Sequence, residues 1–342
     1  MPNKKHATSK PGNKTAKPKV AFYWCASCGG CEETVVDLAE DILKVVDAVD
    51  IALWPVALDI KLKDVQAWKP GEVAVVFING AVRLSEQEEW VRLLREKCSI
   101  VVAFGACAHL GGIPGLANAT TRDAIMTNKY LRAPTLDNVE GILPQETAEI
   151  NGYTLTLPYF WKDVKTLDQV IDVDYYLPGC PPPFDMVASA VAAILENKLP
   201  PKGSVLAPEK ALCETCPRHD SKPEDLIISQ FKRVATSTPD AETCFLAEGY
   251  LCMGPATRGG CGERCINGNM PCRGCFGPPP DAMDAGLKML SALASHGDAH
   301  TEQAAQNTAD SLVDPLGTYY RFSLPASLLR RCLVKDQLQE TE

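Results

Sequence analysis

No stretch of about 18 uninterrupted apolar residues, the length a membrane-crossing helix requires, occurs in the sequence. A transmembrane helix is therefore not expected. Basic residues are also scarce, with 34 Lys and Arg against 43 Asp and Glu and a net charge of -9 at pH 7. Met1 to Lys19 holds six of the lysines and no acid, which leaves 28 basic against 43 acidic residues, a net of -15, in the rest. A surface of that sign repels polyanions, so nucleic acid is excluded as the expected partner. The basic start contains Pro2, Pro11, Gly12 and Pro18 but neither an apolar run nor a twin-arginine pair. It is expected to be a disordered tail over residues 1–18 rather than a secretory signal. No fixed-period repeat is present, and no low-complexity tract lies beyond the tail.

What is abundant is cysteine, at 15 in 342 residues. With no export signal expected, the compartment reads as the reducing cytoplasm, where disulfides are disfavoured and bound metal or iron–sulfur clusters become the leading explanation. The composition, 46% hydrophobic and 23% charged, is that of a globular chain long enough for one large domain and a smaller one.

Short apolar runs at Lys19 to Trp24, Ile51 to Val56, Val73 to Ile78, Ile100 to Phe104 and Val173 to Leu177 predict strands. Helical patterns lie between them, from about Glu32 to Val46 and from Glu86 to Lys97, where Trp90, Leu93 and Leu94 share a face. A further helix over Phe184 to Leu195 starts after three prolines. This alternation predicts an α/β fold with a parallel, doubly wound sheet. Pro200-Pro201-Lys202-Gly203 marks a boundary, giving a first domain over 19–200 and a loop-rich second domain over 201–290. Residues 291–342 form an extension whose Tyr319, Tyr320, Phe322, Leu324, Leu328 and Leu329 are expected to pack on the chain itself or, failing that, on a partner.

Cys28 and Cys31 follow the first predicted strand, Cys107 the fourth and Cys180 the fifth. Loops at the carboxyl edge of a parallel sheet converge, so cysteines far apart in sequence can meet there, and four thiolates complete a cubane cluster. Gly29, Gly30, Gly105 and Gly179 permit tight turns beside them and leave N–H groups free for cluster sulfides. A thioredoxin-like dithiol at Cys28 and Cys31 is the plainer alternative, since Cys-x-x-Cys alone is a weak signal. Eight more cysteines follow, namely Cys213, Cys216, Cys244, Cys252, Cys261, Cys265, Cys272 and Cys275. They suffice for two further tetrads, whereas zinc stapled by the Cys213/Cys216 and Cys272/Cys275 pairs leaves four unexplained.

Three segments carry a family resemblance: Trp24-Cys25-Ala26-Ser27-Cys28-Gly29-Gly30-Cys31-Glu32, Gly105-Ala106-Cys107 to Gly111-Gly112-Ile113-Pro114, and Asp172 to Pro183. They resemble the flavodoxin-like domain of NiFe hydrogenase small subunits, and the same domain is similar to the 20 kDa subunit of respiratory complex I. Complex I relatives have adjacent cysteines in the first motif, whereas Cys25 here is separated from Cys28, which argues against quinone chemistry. Cys252-Met253-Gly254-Pro255-Ala256-Thr257-Arg258-Gly259-Gly260-Cys261 with Pro271-Cys272-Arg273-Gly274-Cys275 resembles the ferredoxin-like half of the same subunits. The resemblance implies a proximal 4Fe-4S cluster on Cys28, Cys31, Cys107 and Cys180. It implies a medial one on Cys261, Cys265, Cys272 and Cys275, and a distal one on Cys213, Cys216, Cys244 and Cys252.

Cys265 stands where many membrane-bound relatives have proline and a 3Fe-4S centre, Cys213 where they have histidine, and Ser27 where they have glutamate. All-cysteine ligation is typical of the cytoplasmic group and lowers reduction potential by adding negative charge. The resemblance further implies a separate large subunit with the nickel–iron centre that splits dihydrogen, and a chain that is itself no catalyst. With Asp314 to Phe322 included, the pattern is most similar to the methyl-viologen-reducing branch of group 3, which feeds a heterodisulfide reductase-linked acceptor in anaerobic, methanogenic metabolism. Deazaflavin-reducing hydrogenases, sulfhydrogenases and a zinc-stapled interaction protein are the alternatives. Cys25, Cys98 and Cys332 receive no role, and His109 and His219 are expected to be structural. Arg218, Arg258, Arg264 and Arg273 either offset cluster charge or belong to ordinary solvated surface.

Overall fold

The computed structural model describes residues 17–331; most of the expected basic tail, and Cys332, lie outside them. Nine strands occur among the described residues, in chain order: β1 (Lys19–Trp24), β2 (Asp50–Leu53), β3 (Val73–Asn79), β4 (Val82–Leu84), β5 (Cys98–Phe104), β6 (Thr147–Ile150), β7 (Tyr153–Thr156), β8 (Phe160–Lys165) and β9 (Tyr175–Leu177). Five of them form one sheet in the order β2-β1-β3-β5-β9, and every pairing in it is parallel. This is the expected α/β sheet, in the flavodoxin-like order with its switch point between β1 and β3.

The strands are near-continuous apolar runs because both faces are covered. Residues alternate between two cores. Ala21, Tyr23, Val76, Ile78, Val101 and Ala103 face the helix Ser85–Lys97 through its Val91 and Leu94. Phe22, Val75, Phe77, Val102 and Phe104 face the helices Gly30–Val36 and Phe184–Leu195 through Val35, Val187 and Ala190. On that second face Phe22 stacks on Phe77 at 5.3 Å between ring centres, and Phe77 meets Phe104 edge-on at 5.8 Å. At the sheet edge the buried carboxylate of Asp174 accepts from Arg95 at 2.6 Å, Lys202 at 2.6 Å and the Val101 N–H at 2.8 Å.

The single helix expected from Glu32 to Val46 is instead three pieces, Gly30–Val36, a 3-10 turn Ala39–Asp41, and Ile42–Ala48. Ala39 adopts a left-handed φ of 49°, which breaks the helix and re-aims its second half. Two short ribbons also escaped the pattern of apolar runs. β4 pairs antiparallel with β8, and β6 with β7 through a turn at Asn151-Gly152, both residues having positive φ.

From residue 201 onward the described chain contributes no strand to a sheet and is built of turns and short helices, among them Arg264–Asn267, Ala285–Ala294, Glu302–Asp310 and Pro315–Tyr319. Its core combines Phe245, Leu246, Met253 and Met289 with Cys252, Cys272, Tyr319, Tyr320 and Leu324. Tyr320 lies so close to Gly286 that a Cβ there would sit 2.4 Å from its ring. Pro325 does the same at Gly111 and Gly115, and the Gly112 N–H donates to the Phe322 carbonyl at 2.9 Å. The segment thus returns to the carboxyl edge of the sheet, with Leu328 and Leu329 left exposed.

Candidate cluster-binding site

Cys28 and Cys31 sit on the turn and first helix after β1, Cys107 in the helix Gly105–Leu110 directly after β5, and Cys180 three residues after β9. All are at the carboxyl edge of the sheet, where the strand order brings β1, β5 and β9 within reach of one another. The four sulfurs are electrostatic neighbours. Burial raises the Cys31 thiol, and Cys107, Cys180 and Cys28 raise it further. Cys107 is pushed up to about 12 by burial, then by Cys180 and Cys28. Only glycine fits between them. At Gly105, φ is 83° and a Cβ would lie 2.3 Å from Cys31 Sγ; at Gly112 it would lie 2.4 Å from Cys107 Sγ. Backbone N–H groups turn toward the sulfurs, Gly30 donating to Cys28 Sγ at 3.5 Å and Ile113 to Cys107.

A second group gathers on the 3-10 turn Leu212–Thr215 and the loops at 244–252. Burial, then Cys252, Cys216 and Cys244, together push Cys213 up to about 12. A Cβ on Gly254 would lie 3.0 Å from Cys213 Sγ and 3.6 Å from Cys252 Sγ, another place where the backbone approaches sulfur closely. The third group is Cys261, Cys265, Cys272 and Cys275. Burial, then Cys180, Cys261 and Cys265, carry Cys275 to about 12, and Cys272 is raised by burial, then by Cys252 and Cys275. N–H groups of Glu263 and Arg264 turn toward Cys261, and that of Gly274 toward Cys272.

The three groups are contiguous. Cys275 interacts with Cys180 through charge and through a backbone N–H, and the Cys272 N–H donates to Cys252 Sγ at 3.3 Å. Among the described residues no three His, Cys, Asp or Glu side chains converge tightly enough to hold a single metal ion. The sulfurs are therefore neighbours without being in chelating contact. As a donor set, twelve thiols in three groups of four, ringed by backbone N–H groups and glycines, fit iron–sulfur clusters, whose cations would replace the protons that burial otherwise retains.

The remaining candidates lie elsewhere. Cys25 and Cys98 are buried in the sheet core away from the three groups. His109 packs its ring on Tyr176 at 4.7 Å, and burial lowers it to about 4, so it is neutral at physiological pH. His219 is exposed on a 3-10 turn. Arg218 is not solvated surface: it is buried, donates to the carbonyls of Asp240 and Thr243 and to Asn269 Oδ1, and lies 4.0 Å over the Phe245 ring. Arg258 is buried as well and donates to the Pro208 carbonyl, while Arg264 pairs with exposed Asp185 at 3.2 Å. The sequence pattern missed Glu32, which is buried beside Cys31, with Oε1 accepting from Asn79 Nδ2 at 3.2 Å and its carboxyl raised by burial. No helix among the described residues is long and apolar enough to cross a membrane.

The fold is that of a hydrogenase small subunit. The oxidized [NiFeSe] hydrogenase of Desulfovibrio vulgaris Hildenborough superposes with a TM-score of 0.50 at 19% identity, covering 78% of this chain and 96% of that one. A family profile described as "NADH ubiquinone oxidoreductase, 20 Kd subunit" matches residues 28–194. Over 93% of this chain and 99% of its own length, the iron-sulfur subunit of the F420-non-reducing hydrogenase of Archaeoglobus profundus is 40% identical. A subunit of the F420-non-reducing hydrogenase of Methanothermobacter thermautotrophicus is 36% identical over 94% of this chain and 98% of its own. The chain belongs to this family of F420-non-reducing hydrogenase iron–sulfur subunits, which are group 3 small subunits of NiFe enzymes. As such it is a hydrogenase subunit that pairs with a large subunit.

Proposed function

We propose that this chain is the electron-relay subunit of a cytoplasmic NiFe hydrogenase. Electrons from dihydrogen, oxidised at the nickel–iron centre of the large subunit, would cross three 4Fe-4S clusters in it to a heterodisulfide reductase-linked iron–sulfur or flavin protein. Cys28, Cys31, Cys107 and Cys180 would hold the proximal cluster, Cys261, Cys265, Cys272 and Cys275 the medial, and Cys213, Cys216, Cys244 and Cys252 the distal. The domains follow the same division: a flavodoxin-like domain over 19–200, a ferredoxin-like one over 201–290, and an extension over 291–342.

The observation that carries this reading is the unbroken succession of thiol groups, joined at Cys180–Cys275 and at Cys272–Cys252. The residues' own work is passive. Glycines admit the sulfurs, backbone N–H groups support their negative charge, and the hydrophobic cores hold the loops so that little reorganises when charge passes. The decisive experiment is metal analysis of the assembled complex. About twelve iron atoms with matching acid-labile sulfide in this chain is the expected result; a colourless, zinc-loaded chain would overturn it. Hydrogen-dependent reduction of candidate acceptors recovered with the complex tests the acceptor separately.

A further inference from the structure

The second half of the chain contains a cavity of about 240 Å³ that none of the cysteines lines. Four cations surround it, Lys232, Arg233, Arg273 and Arg321, and Asp314 is the one carboxylate among its lining residues. In a chain of net charge -9, four cations around one concavity concentrate positive charge at that place. Asp314 is turned back on the backbone, where it accepts from the Gly317 N–H at 2.9 Å and caps the helix Pro315–Tyr319. Arg321 spends its Nε on the Gly317 carbonyl at 3.1 Å, which leaves the two terminal nitrogens of the fork. Arg273 lines the same cavity as Arg321 and has no carboxylate partner among the described residues. Two half-buried arginines near each other with no acid between them, and two exposed cations at the rim, make a receptor for a polyvalent anion.

We propose that this cavity binds a phosphate group, gripped by Arg273 and Arg321 and closed on the solvent side by Lys232 and Arg233. A carboxylate would leave most of the cationic charge unmatched, whereas a dianion with several acceptor oxygens suits two guanidinium forks. The volume exceeds that of one phosphate, since a water occupies roughly 30 Å³ of liquid, so the group can belong to a free ion or to a nucleotide. Arg273 flanks Cys272, and Leu251, which also lines the cavity, precedes Cys252. If the proposed relay holds, a bound dianion would lie beside the junction of its medial and distal clusters and lower their potentials.

Calorimetric titration of the assembled complex with inorganic phosphate tests the site without reference to iron, so failure of the relay would leave this result readable. Saturable one-to-one binding is expected, competed by sulfate and not by chloride. It should weaken about tenfold or more in Arg321→Gln, as one charge-assisted hydrogen bond predicts. Lys232→Gln, at an exposed position that folding tolerates, should weaken it in the same direction. Adenosine diphosphate binding tighter than phosphate would support a nucleotide as the source, and weaker binding the free ion. No saturable binding of either, or equal affinity in wild type and both variants at unchanged melting temperature, would overturn the proposal.

Discussion

At the scale of single residues, the thiol groups depend on positions where a side chain is missing. A methyl group at Gly105 would land 2.3 Å from Cys31 Sγ on a backbone with φ of 83°, so Gly105→Ala should displace Cys31. The expected outcome is about four iron atoms fewer per chain and loss of hydrogen-dependent dye reduction, read by metal analysis and assay of the complex. Asp174 carries a different prediction. Burial opposes its charge, yet Lys202, Arg95 and the Val101 N–H together hold its carboxyl below the ordinary range. Its folded-state value is depressed, so its contribution is complete above the usual aspartate range near 3.9 and is lost as pH falls below it. Asp174→Asn should lower stability at neutral pH by about 1–3 kcal/mol, the order for losing charge-assisted hydrogen bonds at a buried acceptor whose cationic partners Arg95 and Lys202 reach solvent. The melting temperature of the variant should also vary less between pH 6 and 3 than that of the wild type.

Elements show why some of the fold was legible in the sequence and some was not. Phe184–Leu195 begins and ends where its prolines and apolar spacing put it, and the five sheet strands lie within a few residues of their apolar runs, because burial on both faces leaves continuous hydrophobic stretches. The break at Ala39 had no sign, since nothing in Asp37-Leu38-Ala39-Glu40 demands a left-handed residue. Replacing Ala39 by glycine should therefore stabilise the chain, by up to about 1 kcal/mol, as a small rise in melting temperature. The β6–β7 ribbon did have a signal, the Asn151-Gly152 pair, but its strands are almost wholly exposed and give no apolar run. The strand ends pointed to one gathering of four cysteines, whereas the division of the other eight into two groups was only what the family resemblance implied. Their junctions, the buried Arg218 and the placement of Glu32 depend on loop geometry that no local pattern encodes.

For the molecule as a whole, the two halves differ in what holds them. The first has a sheet with apolar cores on both faces, in which Phe77 is nearly inaccessible; Phe77→Ala should cost about 3–5 kcal/mol. The second has few regular elements, and cysteines form part of its only sizeable hydrophobic core among the described residues. Stripping iron with a chelator under reducing conditions should accordingly open residues 201–290 to hydrogen exchange before the sheet. Protection lost first in β3 and β5 would contradict that order.

The bond from the Cys272 amide to Cys252 Sγ means that two thiol groups share a stretch of main chain. Damage at one cannot stay there. An oxidised Cys252 would release the Cys272 amide and loosen the adjoining loop, so under the proposed relay, harm to one group of thiols would reach the next and repair would have to restore both together.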